Sequence, residues 1–356
     1  MPPILPAEPS RRVFLVVGFA VVGILVRYLI FALSKDENFS GFIAAHCVYD
    51  CGSYTSIIEG GYNLAIGEDD QPQRANWAFF PAYPLLAWPM VKLLGLSPAL
   101  AGFVLSNLLI IFAAKLSRPL FSKPQSYWLF VATLMVGPFS VLFSSLYTES
   151  LFVLLTILTV RSLRRGAYLA AGGWIALLSA TRITGVLMVF GLLAQVAADH
   201  HSSGGKWRTL PNRIFADANL LLAFLVAPLG LFAYMAFLYG LTGDPLAFSH
   251  IQRSWGRGFD LPFAAVLDAF ANGWRLDYFG LLRQSWAIAA MIGLGLSAAL
   301  AWRGRYAEAV FWGLSGILCA GPVDIYWPTK RSPKMTANWT RASFHSRGAR
   351  FQSAAA

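Results

Sequence analysis

Runs of about 16–22 apolar residues, long enough to cross a hydrocarbon core of about 30 Å, recur along this chain. Short clusters of Arg and Lys close most of them. A chain of 356 residues could hold two soluble domains, but windows of this length and apolarity overrule that. Composition agrees: 57% of residues are hydrophobic and 13% charged, against about 25% charged in soluble domains. The chain reads as an all-α integral membrane protein with several spans. Its net charge of +11 lies in clusters between apolar runs, as the positive-inside rule requires. It forms no basic face on a soluble domain, so nucleic acid is excluded as a partner.

The clusters orient the chain. Residues 13–34 follow Arg11-Arg12, a start that resembles an export signal. No small-residue cleavage site follows and further spans do, so this is a retained helix with a cytoplasmic N-terminus. The stretch 35–76 is then external, and it carries Asp36, Glu37, Asp50, Glu59, Glu68, Asp69 and Asp70 against Lys35 and Arg74. Residues 98–114 run inward to Lys115, Arg118 and Lys123. The intervening 77–95, broken by Pro81, Pro84 and Pro89, must begin and end outside, as a juxtamembrane helix at the interface. The first external loop is therefore 35–97.

Residues 127–144 return outward, and 151–160 lead back to Arg161, Arg164 and Arg165. Next come 167–180 and 183–198 around Thr181-Arg182, each about 21–24 Å of helix at 1.5 Å per residue. That is short of a crossing, so the pair is expected to form a hairpin with Arg182 near its tip. Residues 216–239 span outward, 241–283 form a second external loop, and 285–302 and 306–321 close the bundle. The domain is read as 1–321. The tail 322–356 carries six Lys/Arg against Asp324 on the external side, an aberrant, disordered segment to which no function is assigned.

Several residues carry chemical potential. Asp50 follows the first span amid Tyr49, Tyr54 and Tyr62; it is a candidate general base or a solvated loop acid. Glu149, in Tyr147-Thr148-Glu149-Ser150, is a second external carboxylate or the first-turn acid of a helix capped by Thr148. Arg182 can grip a phosphate or pair with backbone carbonyls in a broken helix. His250, Gln252, Trp255 and Arg257 follow Gly243-Asp244-Pro245 and offer donors and a flat ring. Arg27, within the first span, is expected to face the bundle. Cys47 and Cys51 could pair or, with His46, hold a metal; the reading adopted is two small apolar residues. Glu68-Asp69-Asp70 could hold a divalent metal but reads as a solvated face, so no cofactor is expected.

Five stretches in order, YDCGSYTSIIEGGY (49–62), NWAFFPAYPLL (76–86), GPFSVLFSSLYTES (137–150), SATRITG (179–185) and GDPLAFSHIQRSWGR (243–257), resemble the PIG-V mannosyltransferase family from about residue 10 to residue 320. The resemblance implies a GT-C helix bundle with its chemistry in the large first external loop. It also implies a polyprenyl- or dolichyl-phosphate sugar donor, typically mannose, and a lipid- or polymer-linked glycan acceptor. Carried over residue by residue, Asp50 would be the base of an inverting transfer, Glu149 its partner carboxylate and Arg182 the lipid-phosphate ligand. His250, Gln252, Trp255 and Arg257 would lie on the donor side, and Tyr49, Tyr54, Tyr62 and Tyr83 on the acceptor side. Tyr49 stands where the family often has Trp. The family continues with helices that 322–356 does not resemble, so an inactive truncated paralogue is one alternative. A lipid or solute transporter is the other, weakened because the broken helix at Arg182 has no counterpart. The membrane is expected to be the bacterial inner membrane, or the ER in a eukaryote.

Overall fold

A computed structural model describes residues 9–35, 38–63, 75–252, 257–258, 263–271, 278–320 and 323–324. Within them every regular element is a helix apart from one two-residue strand pairing, Arg257–Gly258 with Val323–Asp324. Four helical stretches among the described residues are long and apolar enough to cross a membrane: Arg12–Ser34, Pro98–Leu120, Ile183–Ser202 and Ala218–Thr242.

In order, α1 (Pro9–Lys35) is followed by two short helices, α2 (Phe39–Ala45) and α3 (Cys51–Gly60). Then come α4 (Ala82–Lys92) and α5 (Pro98–Ser117). At eleven residues, α4 is too short to span; it lies between α3 and α5 with Leu85, Leu86 and Trp88 exposed. That is the form expected of the interfacial helix read from 77–95.

The next segment departs from expectation. The run 127–144 is not one span: α6 (Pro124–Met135) stops and the chain turns irregularly to a short 3-10 turn at Leu142–Ser144. Gly137-Pro138 explains the stop, since proline cannot continue the hydrogen-bond ladder and disfavours helix before it. The freed groups are met from α1. Arg27 donates to the carbonyl of Met135 (3.0 Å) and to Ser140 Oγ (2.7 Å) and Ser144 Oγ (2.8 Å). The guanidinium thus faces the bundle, as its place in an apolar span requires, and sits at the negative end of the α6 dipole. Gly23 permits the approach, since a Cβ there would lie 1.9 Å from the Met135 carbonyl oxygen.

From α7 (Glu149–Leu163) the chain passes to α8 (Tyr168–Ser179), breaks, and resumes through a 3-10 turn at Ile183–Leu187 into α9 (Met188–Ser202). The break falls at Thr181-Arg182 as read, but the second arm is longer than expected and can cross by itself. It runs past residue 198 because Gln195 Nε2 donates to Asp199 Oδ1 one turn on (3.0 Å), and His200 and His201 suit a helix C-terminus. Beyond lie α10 (Leu210–Ala216), α11 (Ala218–Val226) and α12 (Leu229–Thr242), the last two interrupted at Pro228 within one apolar stretch. Then follow α13 (Ala247–His250), α14 (Ala264–Ala271), α15 (Tyr278–Trp302) and α16 (Tyr306–Ala320). Helix α16 packs on α15 and on α9.

Candidate functional site

The segment 145–150 is fixed from below before it presents any chemistry. Ser106 Oγ on α5 donates to the carbonyl of Ser145 (2.7 Å) and bonds the hydroxyl of fully buried Tyr83 (2.6 Å). Ser144 Oγ donates to Asn107 Oδ1 (3.1 Å), and Ser150 Oγ to the carbonyl of Phe143 (2.9 Å). Leu146 seats on Gly102 so closely that a Cβ there would lie 2.5 Å from the Leu146 Cβ.

On this base Glu149 opens α7, where the helix dipole favours a carboxylate. Thr148 does not cap that helix with its side chain. Its Oγ1 instead accepts from Arg182 Nε (2.7 Å), and Arg182 Nη2 makes a close ion pair with Glu149 Oε1. Arg182 is thus held by a carboxylate and a hydroxyl rather than by backbone carbonyls. Its extended backbone (φ −158°) lies in the break between α8 and α9, and the neighbouring Ala180 carbonyl accepts the amide of Ala82 (3.0 Å), tying α4 to the break. Two features remain open. Glu149 Oε2 is buried without a hydrogen-bond partner, and Arg182 Nη1 has none among the described residues.

The first loop approaches the same place. Tyr54, buried on α3, lies beside Thr148 and within electrostatic reach of Arg182, Glu149 and Asp50. Burial pushes that phenol far above its usual range, so it stays a neutral hydroxyl. Tyr147 donates to the carbonyl of Val48; burial, with Asp50 and Glu149 nearby, pushes its phenol up to about 12. Asp50 is exposed just before α3, makes no side-chain capping bond, and acts on both phenols. Tyr49 beside it is 92% exposed.

The remaining sequence candidates lie elsewhere or do other things. Tyr83 has no exposed surface. Tyr62 donates to the carbonyl of Phe79 (2.7 Å) and packs on Tyr234 and Phe237 of α12, joining the first loop to the bundle. His250 Nδ1 pairs with Asp244 Oδ2 at 2.6 Å on the surface. Phe248 and Ile251 of its segment pack with Trp77, Phe80 and Ile183, the residue after Arg182. Gln252 is half-buried at the end of that segment. Only the backbone of Arg257 is described, paired with Asp324. Trp255 and Glu68-Asp69-Asp70 lie outside the described residues.

One reading is corrected. Cys47 and Cys51 are not two small apolar residues but a disulfide. They sit one turn apart at the entry to α3, where their Cα atoms come to 5.1 Å, inside the range a bridge needs. His46 turns away from them, its Nδ1 to the Phe42 carbonyl (2.9 Å) and its ring edge-on to Phe42 and Phe103. No group of His, Cys, Asp and Glu among the described residues could hold a metal. Sequence reasoning gave no role to Tyr147 or to Ser106; the run of hydroxyls at Ser144, Ser145, Tyr147 and Thr148 was the available signal.

The family model described as mannosyltransferase (PIG-V) matches residues 29–242, a range containing Asp50, Glu149 and Arg182. The chain is also similar to GPI alpha-1,6-mannosyltransferase 2 of Cricetulus griseus, with 25% identity over 283 residues, covering 70% of this chain and 55% of that protein. The Mus musculus protein of the same name is 25% identical over 221 residues, covering 58% of this chain and 43% of its own. The chain spans about half the length of the curated relatives it matches. No solved structure matches.

Proposed function

The chain belongs to the mannosyltransferase (PIG-V) family, and from that premise we propose that it moves a mannosyl group, with inversion, from a polyprenyl- or dolichyl-phosphate donor to a glycan hydroxyl outside the cytoplasm. The observation that carries the reading is the Glu149–Arg182 ion pair, made between residues 33 apart in sequence, with the loop that bears Asp50 tied to the Glu149 segment by the Tyr147 hydroxyl on the Val48 carbonyl. Asp50 is the base: it takes the acceptor hydroxyl's proton as that oxygen bonds the anomeric carbon and the bond to the donor phosphate breaks. The leaving lipid phosphate gathers charge, and Arg182 is the cation that meets it. Glu149 and Thr148 hold that guanidinium, and the unpartnered Oε2 is an acceptor for a sugar hydroxyl. His250 and Gln252 belong to the donor side of this scheme, and the exposed Tyr49 to the acceptor side. No metal is needed in it, so transfer should persist in a chelator.

The disulfide supports the orientation, because such bonds persist in oxidising compartments: the first loop lies outside and the N-terminus in the cytoplasm. In a bacterium the membrane is the inner one. The test is transfer from radiolabelled polyprenyl-phosphate mannose to lipid extract in membranes holding wild type or Asp50→Asn. The variant should be inserted normally and inactive; turnover retained by it removes Asp50 as the base.

A further inference from the structure

We propose that the Cys47–Cys51 disulfide is a positioning device that fixes Asp50 relative to the segment bearing the Glu149–Arg182 pair; the proposal rests on Asp50 being the base. The bridge closes a ring of five residues that contains Asp50. One end of the ring is anchored, since Cys51 is fully buried in the cluster with Tyr54, Leu146 and Tyr147. The residues between the cysteines are not: Val48, Tyr49 and Asp50 are all exposed, so packing does not hold them.

Yet their backbone is unusual. Tyr49 has φ +50°, a left-handed conformation that a bulky residue adopts only where its surroundings over-determine it. Two constraints do so. The bridge fixes the ends of the ring, and the Val48 carbonyl accepts both the Cys51 amide (3.1 Å) and the Tyr147 hydroxyl. Tyr147 stands two residues before Glu149, so the ring is clamped to the segment that carries the ion pair. A loop this short removes little chain entropy from the unfolded state, so global stability is not what the bridge supplies. Opening it frees Tyr49 to leave the left-handed region, and Asp50 swings with it.

Opening is a thiol–disulfide exchange. A dithiol attacks one sulfur through a mixed disulfide, delivers two electrons and two protons, and leaves Cys47 and Cys51 as thiols and itself oxidised.

The experiment uses the full chain in membranes. Thiols are counted by maleimide mass-tagging after denaturation, and transfer is followed with and without dithiothreitol. Of the three cysteines, one should label before reduction and three after. Since small displacements at a reacting centre cost tenfold to a hundredfold, reduction should lower kcat about tenfold or more, with KM for the donor within about twofold. Glutathione disulfide should restore the rate in the same sample, which damage to the fold would not allow. Cys47→Ser/Cys51→Ser should show the lowered kcat and ignore dithiothreitol. Full turnover by wild type with all three thiols labelled overturns the proposal, as does free thiol at either position before reduction. If reduction is without effect while Asp50→Asn is inactive, the positioning role falls and the base stands. If Asp50→Asn turns over, the base falls and takes this proposal with it.

Discussion

Helix α7 carries a carboxylate–guanidinium pair at each end, and the two ends are finished in opposite ways. At its C-terminus Arg164 reaches Glu308 in the first turn of α16 (2.7 Å), and Arg305 donates twice to the same Oε1 (3.0 and 2.8 Å). Glu308 is 6% exposed and has two cations for one charge. Arg164 at the C-terminus of α7 and Glu308 in the first turn of α16 each also complement the dipole of their helix. At the N-terminus Glu149 has one arginine, and a buried oxygen without a hydrogen-bond partner. Satisfied buried charges staple elements together, whereas an unsatisfied one costs stability and persists where something else uses it. The C-terminal end holds α7 against α16. The N-terminal end keeps an unpartnered carboxylate oxygen beside the phenols of Tyr54 and Tyr147.

The largest expected effect separates the ends by activity. Arg182→Lys or Glu149→Gln should lower transfer by about 10²–10³-fold, the usual loss when a group stabilising transition-state charge is removed. Glu308→Gln, assayed well below its melting temperature, should lower transfer less than about threefold. Stability should rank the other way. Losing the Glu308 charge leaves two arginines facing each other in a partly buried setting and should cost on the order of 2–3 kcal/mol. The half-exposed Arg182 pairing (side chains 41% and 22% exposed) contributes nearer ~1 kcal/mol. Equal loss of transfer from both ends, with folding intact, would break the comparison.

A smaller effect tests whether the N-terminal end of α7 depends on what lies beneath it. Gly102→Ala puts a methyl against Leu146, three residues before Glu149. Overpacking of that kind costs about 1–3 kcal/mol, and transfer should fall roughly tenfold through displacement of the pair. Gly173→Ala on α8 meets nothing within 4 Å and is the control, expected to be neutral or slightly stabilising. Transfer unchanged in Gly102→Ala would mean that Glu149 and Arg182 keep their geometry without the seat under Leu146.

What could be read in advance followed from local rules. Apolar length and basic clusters gave the helical bundle, proline spacing gave the short interfacial α4, and the expense of a charge in lipid turned Arg27 inward. The pieces at the N-terminal end of α7 were visible singly; their union was not. Arg182 and Glu149 lie 33 residues apart, and a carboxylate at a helix start has a sufficient local explanation in capping, which hid its partner. Cys47 and Cys51 were ambiguous because spacing permits a bridge without requiring one; what settles it is the turn at Tyr49. The early stop of α6 was legible in Gly137-Pro138 but was overridden by the apolar count across 127–144. Tyr83 resembled its neighbouring tyrosines until packing turned its hydroxyl to Ser106.

The smallest effect concerns a third pair, Asp244 with His250, which lies on the surface rather than at either end of α7. Burial is the largest single influence on Asp244 and opposes its ionisation, but the hydrogen bonds from His250 and from the Leu246 amide, with the charge of His250, together outweigh it and hold the carboxyl below its ordinary 3.8. A carboxyl depressed in the folded state stabilises above its unfolded pKa, and that contribution fades as pH falls through the folded value. The melting temperatures of wild type and Asp244→Asn should therefore differ above about pH 5 and converge below 3.8. Both partners are more than a third exposed (54% and 38%), so the difference should stay under ~1 kcal/mol and shrink with salt. Transfer decides where the pair belongs. If Asp244→Asn raises KM for the donor without moving the melting temperature, His250 joins the open end. If neither changes, the pair is a surface contact of the segment after α12, and the proposed chemistry is confined to the residues around Glu149.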